Sequence, residues 1–554
     1  MSEINATLAE IRNGPAGPGI GAFFDYDGTI IAGYSAMAFY QHRLRNFEIG
    51  PEEATRTMWT ALQRKALTED EFVSLAEIGM RSWAGRTEED LLELGQRLFV
   101  QGIARSLFHD AWRLVKAHQR KGHTVVIASS ATRFQVEPMA GELGLDHVLC
   151  TPLEVESGVL TGRFGGRSLW GPGKAAAVRE FAQTHGVDLG ASHAYANGDE
   201  DVDFLSGVGH PHAVNPGRGL AGVAAQRRWP VLRFHGGPKR FDPAPAMRTS
   251  AMWGAFFSSV GAGLAVGLVN RNRRQGVDLA TSLYGQLAPA VGNISIEVQG
   301  GEHLWSHRPA VFILNHQSSV MDMVVAFRLL ERDFTFVAKK EISRLPVFGQ
   351  LFGLADVIFV DRSSTARAVE ALAPAVEKLR DGISVIIAPE GTRSVTPTVG
   401  RFKKGAFRMA MEAGVPVVPL VLRNSGQLMW RDSKIARSGT VEVVVHPPIH
   451  VAAWSLDELD ERVAEVRELY IRTLEDWPDP NEPRRSDDRE QRDPGHRVGR
   501  VGRHDAVGRG HVASRGRPPD SFQRRAGGDP RPRARLGPAG GRPRAGHKGD
   551  PSAP

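Results

Sequence analysis

Cysteine is nearly absent: Cys150 is the one thiol in 554 residues, which rules out an internal disulfide and fits a reducing compartment. Met1 to Ile20 hold acids and glycines but no apolar h-region, so nothing there reads as a secretory signal. Long hydrophobic runs are missing, with the exception of a charge-free stretch from Thr249 to Asn270. Charge of one sign is also missing from most of the chain. The formal net charge is +7, yet residues 481–554 alone carry 18 Lys+Arg against 9 Asp+Glu, which leaves the rest near neutral. A near-neutral body argues against nucleic acid as the partner. The tail itself is rich in Arg, Gly and Pro, with one aromatic, Phe522, and no apolar period. It cannot offset its ordering entropy by burial and is expected to be disordered, whether merely solvated or a tether for anionic partners.

What is present is enough apolar material, 41% of residues, to fill two or more domains. Residues 1–240 form the first expected unit. Gly21 to Asp25 reads as a short buried strand that ends on a carboxylate, and Gly28-Thr29 makes the turn after it. Thr124 to Ala128, leading into Ser129, and Ala194 to Asn197, leading into Asp199 to Asp203, repeat the pattern. Open α/β sheets place ligands at such strand ends. From about residue 36 to 119 the spacing is helical, with no strand pattern. The set offers a nucleophile, an acid/base, oxygen ligands for a divalent cation and groups to hold a phosphate.

These residues, in this order, resemble the haloacid dehalogenase superfamily of phosphatases, in the branch that includes phosphoserine phosphatase, over about residues 20–220. The resemblance implies a Rossmann-like α/β domain with a helical cap at 36–119. It implies that Asp25 is the nucleophile and Asp27 the general acid/base, and that Ser129 and Lys174 bind the phosphoryl group. Mg²⁺ would be held by Asp25, Asp27 and Asp199, with Asp203 supporting that site.

Residues 241–275 make an apolar junction. The stretch 249–270 has the length of a membrane span, but Arg248 on one side and Arg271, Arg273 and Arg274 on the other give no clear orientation. A full crossing would put the two halves on opposite faces, so a helix dipping into one leaflet or lying in the interface suits the chain better. A buried core helix is the other alternative.

In residues 276–480 strands again alternate with helices, at 293–298, 310–314, 335–338, 357–360, 383–388, 415–420 and 441–445, which argues a second α/β domain. His316 leaves a buried strand with Asp322 on the following turn, the arrangement of a base and its orienter. Lys339, Arg362, Arg393, Lys403 and Lys404 supply charge for a dianionic phosphate.

The runs Asn315-His316-Gln317-Ser318, Val337-Ala338-Lys339, Phe359-Val360-Asp361-Arg362, Pro389-Glu390-Gly391-Thr392-Arg393 and Phe402-Lys403-Lys404-Gly405 resemble the successive blocks of the 1-acylglycerol-3-phosphate acyltransferases. That resemblance implies that His316 is the base for a lysophosphatidate hydroxyl, which attacks an acyl-CoA or acyl carrier protein thioester, with Asp322 as its partner. Lys339, Arg362 and Arg393 would hold the phosphate, and Glu390, Gly391 and Thr392 would shape the site. The chain departs from the family at two points. Five residues instead of four separate His316 from Asp322, and Asp356 stands where glycine is usual.

The leading expectation is a bifunctional enzyme of phospholipid metabolism in the cytoplasm, on the cytosolic face of the membrane. The alternatives are a small-metabolite phosphatase with an acyltransferase impaired by the long His-Asp spacing, and a membrane-anchored scaffold.

Overall fold

In the computed structural model the described residues are 3–50, 55, 69–234, 244–360, 372–431 and 433–478. Arg362 and the tail 481–554 lie outside them. The strands of the first half are β1 (Gly21–Phe24), β2 (Thr124–Thr132), β3 (His147–Thr151), β4 (Leu153–Glu156), β5 (Val159–Phe164), β6 (His193–Ala196), β7 (His210–Val214) and β8 (Val231–Leu232). Six of them form a parallel sheet in the order β3-β2-β1-β6-β7-β8. Ala22, Phe23 and Phe24 are fully buried, as both faces of a parallel strand under helices require. Because β1 lies between β2 and β6, the chain order reverses beside it, and the carboxyl ends of these strands open a crevice.

The stretch expected to be a cap holds helices Ala36–Arg45, Glu69–Arg81 and Glu88–Leu98. The helix that follows, His109–Arg120, belongs to the core layer instead. It buries Ala111, Trp112, Leu114 and Val115 and packs on β2 and on the N-terminal helix Glu3–Asn13. The hairpin β4–β5 joins the cap side, since Leu160 N donates to the Arg86 carbonyl and Gly85 N to the Leu160 carbonyl, both at 2.9 Å. Its turn residues Ser157 and Gly158 both have positive φ, 53° and 79°, a hairpin geometry that suits a glycine.

The second half contains β9 (Ile294–Gln299), β10 (Val311–Leu314), β11 (Phe334–Lys339), β12 (Ile358–Val360), β13 (Ser384–Ile387), β14 (Val417–Arg423) and β15 (Gly439–Val445). They form one sheet in the order β12-β11-β13-β10-β14-β15-β9, antiparallel only at β14–β15. The two halves share an apolar cluster that runs from Ile11 and Leu114 to Val417, Tyr470 and Leu474. Polar contacts join them as well: Thr396 donates to Glu142 at 2.6 Å, and Arg12 meets Asp476 at 2.9 Å. Met1–Glu482 accordingly form one compact unit.

The charge-free stretch lies in a 26-residue helix, Ala244–Val269, that folds back against the helix Arg273–Gly292. Their contact depends on two glycines. A Cβ on Gly263 would sit 2.4 Å from the Gly276 carbonyl, and one on Gly276 would sit 2.4 Å from that of Gly263. The hairpin returns the chain to the side it left, and Thr249 Oγ1 accepts from Ala436 N at 2.9 Å near the base. Phe257, Leu264, Leu268 and Val269 are exposed. The helix is long and apolar enough to cross a membrane, and little of it is buried, which sets the buried-core alternative aside.

His193 and His212, on neighbouring strands of the first sheet, are both held down to about 3, by burial first and then by adjacent histidines, including His210. Both are therefore neutral in the fold, whereas in the unfolded chain they take up protons near pH 6.5. Stability from this pair is present above about pH 6.5 and is lost as pH falls toward 3. The expected loss at pH 5 is about 2 kcal/mol per histidine. Urea unfolding at pH 7.5 and 5 should show it, and His193→Asn/His212→Asn should flatten the difference. An unchanged midpoint in the parent would refute the assignment.

Candidate active sites

Asp25 follows β1 directly and is buried. Lys174, on the helix Pro172–His185, places Nζ 2.8 Å from Asp25 Oδ1 and 2.7 Å from Asp201 Oδ1. Burial alone would lower the lysine, but the charges of Asp201 and Asp25 outweigh it and hold Lys174 protonated. Asp27 accepts from Ser35 N at 2.7 Å and Ser35 Oγ at 3.1 Å. Burial, opposed by those bonds and reinforced by the Asp25 charge, pushes Asp27 up to about 7. Gly28 has φ +82°, and a Cβ there would lie 2.3 Å from the Asn197 amide, so glycine is required. Ser129 is buried on β2, two positions beyond Ile127, the partner of Phe24.

The structure corrects the expected metal residues Asp199 and Asp203. Asp199 turns away and accepts from Leu220 N at 2.6 Å and Gly219 N at 3.3 Å, at the start of the helix Arg218–Arg227. Asp203 is exposed on the short helix Val202–Ser206. The reason is where β6 stops. Asn197, not Asp199, is the first residue beyond the strand, in the position that Asp25 holds after β1, and a 3₁₀ turn then brings Asp201 to Lys174. Asn197 carries a local signal, as the polar residue that ends the apolar run of β6, whereas Asp201 is brought in by the 3₁₀ turn Asp199–Asp201 and has none.

Asn197 Oδ1 faces the Asp27 carbonyl at 2.9 Å, Thr29 Oγ1 at 3.0 Å and Asp25 Oδ2 at 3.1 Å; turned over, its amide nitrogen donates to the same three. With the oxygen inward, Asp25, the Asp27 carbonyl and Asn197 form a cradle of hard oxygen ligands that fits Mg²⁺. The carboxamide gives this cradle one negative charge fewer than a carboxylate.

In the second half, Asn315 pins the end of β10 to β14 through two hydrogen bonds with Leu422, at 2.7 and 2.8 Å. His316 follows, with Nδ1 2.8 Å from Asp322 Oδ2. The same oxygen accepts from Gln317 N at 3.1 Å and Ser318 N at 2.9 Å. Ser318 caps the helix Ser319–Leu330 by accepting from Met321 N at 3.2 Å. The additional residue is absorbed in that first helical turn, so the wider spacing leaves the pair in contact and removes the geometric ground for an impaired site. The other departure is also accommodated. Asp356 has φ +57°, a region glycine favours, and is held by Arg273 at 2.7 and 2.9 Å.

Glu390 sits behind the histidine. It accepts from His316 N at 2.7 Å, Gly400 N at 2.7 Å and Ser394 Oγ at 2.8 Å, and burial raises its pKa. Through these bonds it holds the loop beside His316. Gly391, at φ +73°, leaves room for the Lys403 side chain, and Thr392 is exposed. The expected cations are more dispersed. Arg393 donates to the Arg431 carbonyl, Lys404 pairs with Asp460 at 2.6 Å, and Lys339 is exposed and pairs with Glu341 at 3.1 Å.

Two family models match the chain: a haloacid dehalogenase-like hydrolase over residues 22–206 and an acyltransferase over residues 295–423. The 1-acyl-sn-glycerol-3-phosphate acyltransferase of Limnanthes alba is 34% identical over 194 residues, which are 35% of this chain and 68% of that protein. The inhibition of morphological differentiation protein of Streptomyces azureus is 32% identical over 268 residues, 46% of this chain and 95% of that protein. Among solved structures, the 1-acyl-sn-glycerophosphate acyltransferase of Thermotoga maritima aligns at 25% identity with a TM-score of 0.37, covering 42% of this chain and 98% of that one.

Proposed function

We propose, for a chain that belongs to the 1-acyl-sn-glycerol-3-phosphate acyltransferase family and carries a haloacid dehalogenase-like hydrolase domain before it, that the enzyme acylates lysophosphatidate and hydrolyses a phosphomonoester. The observation that carries the first activity is the 2.8 Å contact of His316 Nδ1 with Asp322. It commits Nδ1–H to the carboxylate and leaves Nε2 to take the proton of the sn-2 hydroxyl. The alkoxide attacks the thioester carbonyl of an acyl-CoA or acyl carrier protein. The ester C–O bond forms as the C–S bond breaks, and the proton passes to the leaving thiolate. General base catalysis of this kind contributes about 10² to 10⁴ in rate.

In the first half Asp25 Oδ attacks phosphorus and the ester oxygen leaves, protonated by Asp27, whose raised pKa keeps it partly protonated near neutrality. Water then cleaves the aspartyl-phosphate. Lys174 offsets charge beside the nucleophile. Bound Mg²⁺ would neutralise phosphoryl charge there, held by Asp25, the Asp27 carbonyl and Asn197. The exposed apolar side chains on the hairpin support attachment to a membrane without a crossing between the domains, and a thioester donor made in the cytoplasm would put that attachment on the cytosolic face.

The test is transfer of radiolabelled acyl groups from acyl-CoA to lysophosphatidate with Mg²⁺ present. Phosphatidate is the expected product, and its conversion to diacylglycerol by the parent but not by Asp25→Asn would identify a lipid phosphate as the hydrolase substrate. If no phosphatidate forms, the acyltransferase reading fails.

A further inference from the structure

Where the two halves meet, a small pocket of about 30 Å³ lies against the segment that carries the acyltransferase base. Arg105 and His109 enter it from the first half, and Gln317, Ser394, Arg423 and Trp430 from the second. Gln317 is the residue after His316, and Ser394 N donates to the His316 carbonyl at 2.8 Å. Among the described residues no carboxylate lines the pocket.

Its polar groups lack partners of the right kind. His109 is 8% exposed, and its Nε2 has no hydrogen-bond partner among the described residues; the buried Trp430 Nε1 has none either. Buried polar atoms are usually satisfied, so such groups call for a partner. Arg105 is exposed at the rim, and among the described residues no carboxylate pairs with it; burial of part of the side chain and then the like charge of Arg437 lower its pKa. Arg423 is already engaged, by Glu442 at 2.8 Å and by the face of Trp477. Gln317 accepts from Gly426 N at 3.4 Å through Oε1, which leaves its amide nitrogen for another group.

A cluster of guanidinium, indole and imidazole nitrogens without an acid calls for an anion with several oxygens. We propose that this pocket is a phosphomonoester subsite of the acyltransferase, in which Arg105 and His109 of the hydrolase half bind the phosphate of a substrate. The inference rests on the acyltransferase reading. That reading offers two phosphomonoesters, the head group of lysophosphatidate and the 3′-phosphate of a CoA donor. The subsite exists only where both halves are packed together, because Arg105 and Gln317 come from separate domains.

The experiment compares the full chain with Arg105→Ala and Arg105→Lys in steady-state acyl transfer, with melting temperatures as the folding control. If the acceptor phosphate is the ligand, Arg105→Ala raises KM for lysophosphatidate about 10-fold. In that case kcat and KM for acyl-CoA hold, and Arg105→Lys recovers part of the loss. If the donor phosphate is the ligand, KM for acyl-CoA rises instead, and the difference vanishes with an acyl-dephospho-CoA donor. If neither KM moves, the subsite is refuted. If the parent transfers no acyl group, the acyltransferase reading fails and inorganic phosphate becomes the probe. Calorimetric binding to the parent that Arg105→Ala abolishes would then keep the subsite, and binding independent of Arg105 would remove it.

Discussion

Acyl transfer by His316→Ala is expected to fall by about 10² to 10⁴ in kcat, with KM for lysophosphatidate little changed. The neighbours of the imidazole, Asn315 and Glu390, are both consumed in backbone hydrogen bonds, so neither can take the hydroxyl proton. Asp322→Asn should lose a large part of the same factor. An amide oxygen can keep the bonds from Gln317 N and Ser318 N, yet it carries no charge to stabilise the imidazolium that forms. The pair of variants separates the base from its orienter. Turnover by His316→Ala within a few-fold of the parent would exclude it as the base.

The second large effect concerns Lys174, and it shows in stability as well as in turnover. Its ammonium lies between two buried carboxylates, Asp25 and Asp201. Lys174→Met leaves both buried carboxylates without a counter-charge, and breaking a buried pair in this way costs about 3 to 5 kcal/mol. Hydrolysis of a phosphomonoester should be lost together with that stability. Adding Asp201→Asn to Lys174→Met removes one of the stranded charges and should return part of the stability without returning activity. Denaturant midpoints for the three proteins decide the matter: if Lys174→Met is as stable as the parent, the buried charge pair is not what holds the strand ends together.

How much was legible in advance differs between the two halves. In the second, His316, Asp322 and Glu390 stand close together in the folded chain, because each is tied by the backbone to the end of a strand whose apolar run is plain in the sequence. The extra residue between His316 and Asp322 looked damaging when counted along the chain. A helix cap absorbs it, and only the position of Ser318 reveals that. In the first half, Lys174, read from the sequence as a phosphoryl-binding residue, lies against Asp25. Asp199 and Asp203 do not reach them, because the choice between residues 197 and 199 turns on the last residue of β6. Local composition blurs that boundary, since Asn197, Gly198 and Asp199 all suit a loop. The strands β3, β4, β5, β7 and β8 were not expected for a related reason: they are short, partly exposed or rich in histidine, and their apolar signal is weak.

By itself the sequence determined the two α/β halves, the most apolar of their strands and the motifs that follow them. Those features are encoded in runs of neighbouring residues, where burial on both faces leaves an unbroken apolar stretch. The tertiary structure alone decided which carboxylates face Lys174, that the apolar helix doubles back, and that Arg105 arrives beside the residue after His316. Such contacts join residues far apart in the chain through the packing of whole domains, and no local spacing records the direction in which a side chain leaves its strand.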